Sequence, residues 1–323
     1  MVEEKKRLII IDSNSIIHRA YHALPPLTTK KGERVNAVYG FLLVFFKIIK
    51  EFRPDYIAAC FDLPAPTFRH KKYKEYKAKR PPTPEDLKEQ ILKVKEILKS
   101  FHVAIFEKTG FEADDLIGTI SKKNLKEQSS SRVENIILSG DLDTLQLVDE
   151  NTKICFLRRG VKDLFLYDAN SIKERYQGLR PEQILDFNAL KGDPSDNVPG
   201  VTGVGEKTAT KLVGEFGSLE NLYQELEKDS GKAKKLNPKF KKTLLNQKKQ
   251  AFFSKALLRI ETDAPISFDL KECRWGEYDQ EKVSQIFKDL EFYSLIERLS
   301  ALKKTGQNDT MKEAGVNRQN TLF

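Results

Sequence analysis

Leu8-Ile9-Ile10-Ile11-Asp12 is an apolar run of strand length closed by a carboxylate. Two later stretches share this design: Ile57-Ala58-Ala59-Cys60-Phe61-Asp62 and Ile136-Ile137-Leu138-Ser139-Gly140-Asp141. Such runs read as buried strands, and in an open parallel sheet ligands gather outside the carboxyl ends of the strands. Acids repeated at that edge converge on one place. Working outward, strands are predicted over 7–12, 56–61, 102–106, 135–139 and 153–157. Helical stretches lie between them, to about 22 and over 35–52, 112–127 and 143–148. A further one, 85–100, has apolar Leu87, Ile91, Val94, Ile97 and Leu98 at helical spacing. This alternation predicts an α/β fold, a doubly wound and mostly parallel sheet.

The remaining segments set the organisation. Residues 64–84 hold five prolines (64, 66, 81, 82 and 84) and many charges, so an arch is expected at about 64–100. From Pro181 strand signals fade and helices dominate to about 300. The expected units are an α/β domain over 1–180, a helical lobe over 181–300 and a flexible polar tail over 301–323. The lobe is expected to bring Asp193 and Asp196 to the sheet edge.

The 323 residues are 39% hydrophobic and 32% charged, with a formal net charge of +9. Because the clustered acids are already counted, the remaining surface is more basic than that average. A basic exterior around an acidic pocket suits a polyanion gripped by Lys and Arg. Cys60, Cys155 and Cys273 are far apart and form no CxxC, which excludes a zinc ribbon or disulfide framework. His18 and His22 are four apart but lack the glutamate of a zinc protease. The apolar run after the charged residues 1–7 stops at Asp12, so no secretory signal is expected. The greasiest window, 41–46, is too short to span a membrane. A cytoplasmic, monomeric protein is expected.

Nine acids form five clusters: Asp12; Asp62; Glu112 with Asp114 and Asp115; Asp141 with Asp143; and Asp193 with Asp196. Helix capping explains single acids such as Asp114 or Asp196. Five clusters at strand ends call instead for cations, since so many negative charges in one cleft do not all stay ionised alone. Hard divalent ions with oxygen ligands, magnesium above all, suit that set.

Two further stretches carry chemistry. Seven of the twelve residues over 69–80 are Lys or Arg, interleaved with Tyr73 and Tyr76. Cations there suit phosphates and rings suit base stacking; the alternative is a solvated charge run. The stretch Gly203-Val204-Gly205-Glu206-Lys207-Thr208-Ala209 places two glycines in a tight turn opening a helix. Free N–H groups at that helix start, with Lys207 nearby, suit a phosphate oxygen. Spacing to Lys207 and Thr208 is too short for a Walker loop.

Together these motifs resemble the 5′ nucleases, meaning flap endonucleases and the 5′→3′ exonuclease domain of bacterial DNA polymerase I. The resemblance runs over about 7–300. It rests on Ile11-Asp12, Phe61-Asp62 with Phe68-Arg69-His70, Phe111-Glu112-Ala113-Asp114-Asp115, Ser139-Gly140-Asp141-Leu142-Asp143 and Gly192-Asp193-Pro194-Ser195-Asp196-Asn197-Val198-Pro199-Gly200. It implies a PIN-like sheet and a helical lobe whose glycine turn is a helix-hairpin-helix. Gly203, Gly205, Lys207 and Thr208 would hold duplex backbone there, around a potassium ion. It also implies two-metal hydrolysis of DNA by magnesium, with manganese as a substitute, in primer or flap removal.

The resemblance further assigns Asp12, Asp62, Glu112, Asp114 and Asp115 to a first metal. Asp141, Asp143, Asp193 and Asp196 fall to a second, with Asp114 between the two. Lys77 and Arg80 would stabilise the charge developing on the scissile phosphate. Tyr76 would stack on an unpaired base and Arg69 would grip phosphate. The terminal Gln319-Asn320-Thr321-Leu322-Phe323 is similar to the peptide of bacterial sliding-clamp partners. Leu322 and Phe323 would fill a clamp pocket and Gln319 would bond at its rim. Such a tail also favours a standalone protein over a polymerase fragment. The competing readings are a non-catalytic DNA-structure binder of the same fold and a smaller PIN-type ribonuclease, which would need neither arch nor hairpin.

Overall fold

The computed structural model describes residues 5–126 and 133–300. Its centre is a six-stranded sheet of β1 (Arg7–Asp12), β2 (Tyr56–Cys60), β3 (Ala104–Phe106), β4 (Glu134–Ser139), β5 (Thr152–Arg159) and β6 (Asp163–Tyr167). The order is β3-β2-β1-β4-β5-β6, parallel throughout except that β6 runs antiparallel to β5. β1 is therefore flanked by β2 and β4, so the three strands that lead into acids are neighbours. The sequence reading has no β6: its charged start at Lys162-Asp163 and its place on an exposed edge weaken the apolar signal.

Alternation along β1 divides the core. Leu8 and Ile10 pack in one cluster and Ile9 and Ile11 in the other, all fully buried. The second cluster is covered by α1 (Ser13–Ala23), α2 (Asn36–Phe52) and α4 (Glu85–Ser100), reached after the short α3 (Phe68–Lys72). Gly40 in α2 lets this layer close, because a Cβ there would come within 2.6 Å of the Ala20 Cβ on α1. The first cluster is covered by α5 (Ala113–Lys126) and α6 (Ala169–Arg175). It continues into α7 (Ile184–Lys191), α8 (Glu206–Phe216), α9 (Leu219–Glu227), α10 (Pro238–Asn246) and α11 (Lys248–Leu258).

Residues expected to close the helical lobe do something else. From Ile260 the chain returns along the sheet, where Trp275 donates its N–H to the Asp55 carbonyl at 2.8 Å. It then forms α12 (Gln280–Asp289), which packs on α4. Val283, Phe287, Leu290, Phe292, Leu295 and Leu299 are buried in the α1–α2–α4 cluster. The segment over 143–148 is a 3-10 turn, Leu142–Leu147, rather than an α-helix. Among the described residues no helix is long and apolar enough to cross a membrane.

Between α7 and α8 the chain folds tightly on itself. Gly192 has φ 79°, and a Cβ there would meet the Gly200 nitrogen at 2.3 Å, so both positions require glycine. Asp193 and Val198 exchange backbone hydrogen bonds across this loop.

Candidate metal centre

Each acid is placed by the end of an element. Asp12 closes β1 and caps α1, its Oδ1 accepting from the Ser15 N–H at 3.2 Å. Its Oδ2 accepts the Ser139 hydroxyl at 2.6 Å, tying β1 to the end of β4. Asp62 follows β2 and accepts the Ala113 N–H at 2.8 Å, in the first turn of α5. Asp141 follows β4 and accepts the Asp143 N–H at 2.9 Å. Asp143 in turn receives the Asn188 amide at 2.9 Å from α7.

Asp12, Asp62, Glu112, Asp114 and Asp141 line one cavity of about 600 Å³, with Lys77 and Arg80 on its wall. Its electrostatics are those of crowded anions. Burial pushes the Asp12 carboxyl up to about 7, against the hydrogen bond from Ser139, and the charge on Asp62 adds to the rise. Burial also raises Asp62 and Asp141. Asp114 rises well above the usual range, through burial and then the charges of Asp12 and Asp141. Asp143 does likewise, through burial and then Asp141, Asp193 and Asp196.

Among the described residues no group of three or more His, Cys, Asp or Glu side chains is arranged to hold a metal ion as it stands. The donor chemistry nevertheless fits one. Carboxylate oxygens without enough cationic partners face a common space, and an oxygen-coordinated divalent cation would relieve their repulsion. Asp12, Asp62, Asp114 and Asp141 are the residues best placed to hold it.

Asp115 is placed differently from the expectation. It is fully buried, and both its oxygens meet Arg69, at 2.7 and 2.8 Å. The same carboxylate accepts the Glu112 N–H at 3.0 Å and the Glu261 N–H at 2.9 Å. It therefore caps the start of α5 by reaching back from the third helical residue, leaving its lone pairs engaged within the protein. Arg69, expected to grip phosphate, is equally buried and also donates to the Leu257 and Arg259 carbonyls.

The arch lies down on the acids. Tyr76, expected on an unpaired base, is only 4% exposed, and its hydroxyl donates toward Glu112 Oε2 at 3.1 Å and Asp196 Oδ2 at 3.0 Å. Lys77 Nζ lies 3.0 Å from Glu112 and 3.6 Å from Asp196, and Arg80 pairs with Asp196. Burial alone would lower the Lys77 pKa, but Glu112 and Asp196 outweigh it and raise it. The Lys77 N–H donates to the Asp196 carbonyl at 2.9 Å, so backbone as well as side chains hold the segment.

Several lining residues escaped the sequence reading. Asn14 Oδ1 accepts the Asp62 N–H at 3.1 Å. Ser15 Oγ accepts the Gly140 N–H at 3.0 Å, and Arg19 donates to the Gly140 carbonyl at 2.8 Å. His18 and His22 line the same cavity, and burial lowers the His18 pKa. The available signal was helical spacing: from Asp12, residues 15, 18, 19 and 22 share one face of α1. Gly203 and Gly205 are exposed in the α7–α8 loop, and in the first turn of α8 Lys207 is exposed and Thr208 half-buried. Gln319, Leu322 and Phe323 lie outside the described residues.

A family model described as the 5′-3′ exonuclease N-terminal resolvase-like domain matches residues 7–177, and one described as its C-terminal SAM fold matches 179–281. The chain belongs to the 5′-3′ exonuclease family. As a member it is a metal-dependent nuclease that hydrolyses DNA. This exonuclease is 41% identical over 310 residues to DNA polymerase I of Bacillus subtilis, across 96% of its own chain and 34% of the polymerase. To DNA polymerase I of Mycobacterium tuberculosis it is 37% identical over 298 residues, across 91% of its chain and 32% of the polymerase. It thus spans about a third of the length of the polymerases it matches. Its fold is shared with the T5 5′-exonuclease solved with bound zinc, at 21% identity and TM-score 0.63, covering 88% of this chain and 98% of that one. The catalytic core of Rad2 in complex with DNA substrate also shares it, at 21% identity and TM-score 0.56, covering 93% of each.

Proposed function

We propose that this exonuclease is structure-specific, cutting DNA at a free 5′ end or at a flap junction by a two-metal mechanism with magnesium, or manganese in its place. The observation that carries this is the convergence of acids from the ends of β1, β2 and β4 on one cavity walled by Lys77 and Arg80. Bound there, the cations would lower the pKa of water and draw charge from the phosphate. Water adds to phosphorus, one ester P–O bond breaks, and the leaving oxygen takes up a proton.

The chain's own residues do the rest. Asp12, Asp62, Glu112 and Asp114 would hold the first centre, with Asp115 fastened to Arg69 behind them. Asp141, Asp143, Asp193 and Asp196 would hold the second, with Asp114 between the two. Lys77 and Arg80 turn from the carboxylates to the scissile phosphate when substrate enters, and Tyr76 leaves Glu112 and Asp196 to stack on an unpaired base. The glycine turn of Gly203 and Gly205, with Lys207 and Thr208, holds duplex backbone around a potassium ion. The terminal Gln319, Leu322 and Phe323 dock a sliding clamp, and a variant lacking 319–323 should lose clamp affinity alone. The protein acts as a monomer in the cytoplasm, removing primers or flaps in replication and repair.

The test is cleavage of a 5′-flap DNA and of its plain duplex, in magnesium and in chelator. Magnesium-dependent cutting near the junction is expected. Tight flap binding with no cutting, in magnesium or with manganese in its place, would instead support the non-catalytic DNA-structure binder.

A further inference from the structure

Residues 230–260 hold nine lysines and one arginine, with no aspartate or glutamate. That stretch carries more positive charge than the +9 of the whole chain. Some of it is neutralised locally. Lys241 pairs with Asp229, Lys248 with Glu227, and Lys255 with Asp186 and Glu220. Lys232 donates to the Glu215 carbonyl at 2.9 Å. Lys234, Lys235, Lys239, Lys242 and Lys249 are exposed and form no ion pair among the described residues. Five uncompensated like charges repel one another, so the surface is complete only against an anion.

Position says which anion. Gln247 joins α10 to α11, and its Oε1 accepts the Thr202 N–H at 2.9 Å. Gln250 donates to the Gly200 carbonyl and Ser254 to the Pro199 carbonyl. The lysine-bearing elements are therefore fastened to the glycine turn between α7 and α8. Lys239 and Lys242 are three apart on α10 and share a face. The nine residues of α10 rise about 13 Å, a length of about four base-pair steps along the axis of a duplex. Phe240 and Phe252 pack inward against the core, and the exposed Phe253 meets the Tyr73 ring of the arch edge-on at 5.4 Å, so the lysine face itself presents cations without rings for unpaired bases. That combination fits paired DNA rather than single strands.

We propose that the lysine face formed by Lys234, Lys235, Lys239, Lys242 and Lys249 is a second contact for the duplex backbone, continuous with the glycine turn. It lengthens the grip on double-stranded DNA without reading sequence. The inference rests on the DNA-nuclease reading and extends it to the duplex arm of the substrate.

The experiment measures affinity for a short DNA duplex across a salt series, in chelator. It compares the wild type with a quartet variant carrying Lys234→Gln, Lys235→Gln, Lys239→Gln and Lys242→Gln. A control quartet removes the same charge elsewhere through Lys99→Gln, Lys271→Gln, Lys282→Gln and Lys288→Gln. The slope of log affinity against log salt should become shallower by about 0.9 for each phosphate that the variant no longer neutralises. At low salt the test quartet should bind roughly 10- to 100-fold more weakly, the control scarcely so, and the difference should shrink as salt rises. A charge-reversed pair, Lys239→Glu with Lys242→Glu, should weaken binding further and carries the test if the quartet is unstable. Equal losses in the two quartets, or an unchanged test quartet, would overturn the proposal. A wild type that binds no duplex at all would overturn the nuclease reading with it.

Discussion

Arg69 and Asp115 meet as a buried bidentate pair, with Nη1 and Nη2 lying 2.7 and 2.8 Å from the two carboxylate oxygens. The pair joins α3 at the foot of the arch to α5, and through the Leu257, Arg259 and Glu261 backbone to the end of the helical lobe. Removing one partner strands a buried charge, which costs about 3–5 kcal/mol. Denaturant unfolding of Arg69→Ala and of Asp115→Ala should each show a loss of that order, and the double variant much less than their sum. If Asp115 acted mainly as a metal ligand, its replacement would raise the magnesium requirement and leave metal-free stability intact.

Gly140 sits where a Cβ would come within 2.8 Å of Ser15 Oγ and 2.9 Å of Arg19 Nε. Those two side chains hold its N–H and carbonyl, so they fix the turn that carries Asp141. Gly140→Ala should lower single-turnover cleavage by about 10- to 100-fold, the upper figure being the cost of a misplacement near 1 Å. Raising the magnesium concentration should recover part of the loss. A fully active variant would show that the turn does not set Asp141.

The Asp12 carboxyl, raised to about 7 in the folded protein, ionises near 3.9 when unfolded. Between those values the folded state holds a proton that the unfolded state has lost. Its contribution is therefore present below the unfolded pKa and disappears as pH rises through the folded one. In chelator, Asp12→Asn should gain stability relative to wild type as pH rises from about 4 to 7, at most about 1.4 kcal/mol per pH unit. Magnesium should remove or reverse that gain, because the ionised carboxylate then has a cation. Thermal unfolding at several pH values, with and without the metal, reads both effects.

How much of this was legible follows from what a sequence records. Apolar runs ending in Asp12, Asp62 and Asp141 announce strands and a shared edge because burial on both faces leaves no polar alternation. The sequence shows that residue 115 is an acid; only the fold shows that four donors occupy it. Tyr76 reads as exposed because six cations surround it between 71 and 80, yet its ring turns under them. His18 and Arg19 needed the turn at Gly140 before their common direction could be seen.

Lys77, Tyr76 and Arg80 all bind Glu112 or Asp196. Divalent cations that draw those carboxylates into coordination weaken the interactions pinning the arch. Limited trypsin digestion should therefore cut faster after residues 71–80 in magnesium than in chelator. Lys77→Ala should shrink the difference. Equal rates in both conditions would separate metal binding from movement of the arch.

The return of the chain after Ile260 has a consequence for biosynthesis. Phe46 and Phe101 pack their rings against Phe287, with centroids 6.1 and 6.2 Å away. On the ribosome, the layer of α1, α2 and α4 is made long before the residues that seal it. Its apolar flank has no cover until α12 emerges, so closure of this layer depends on a late contact of high sequence separation.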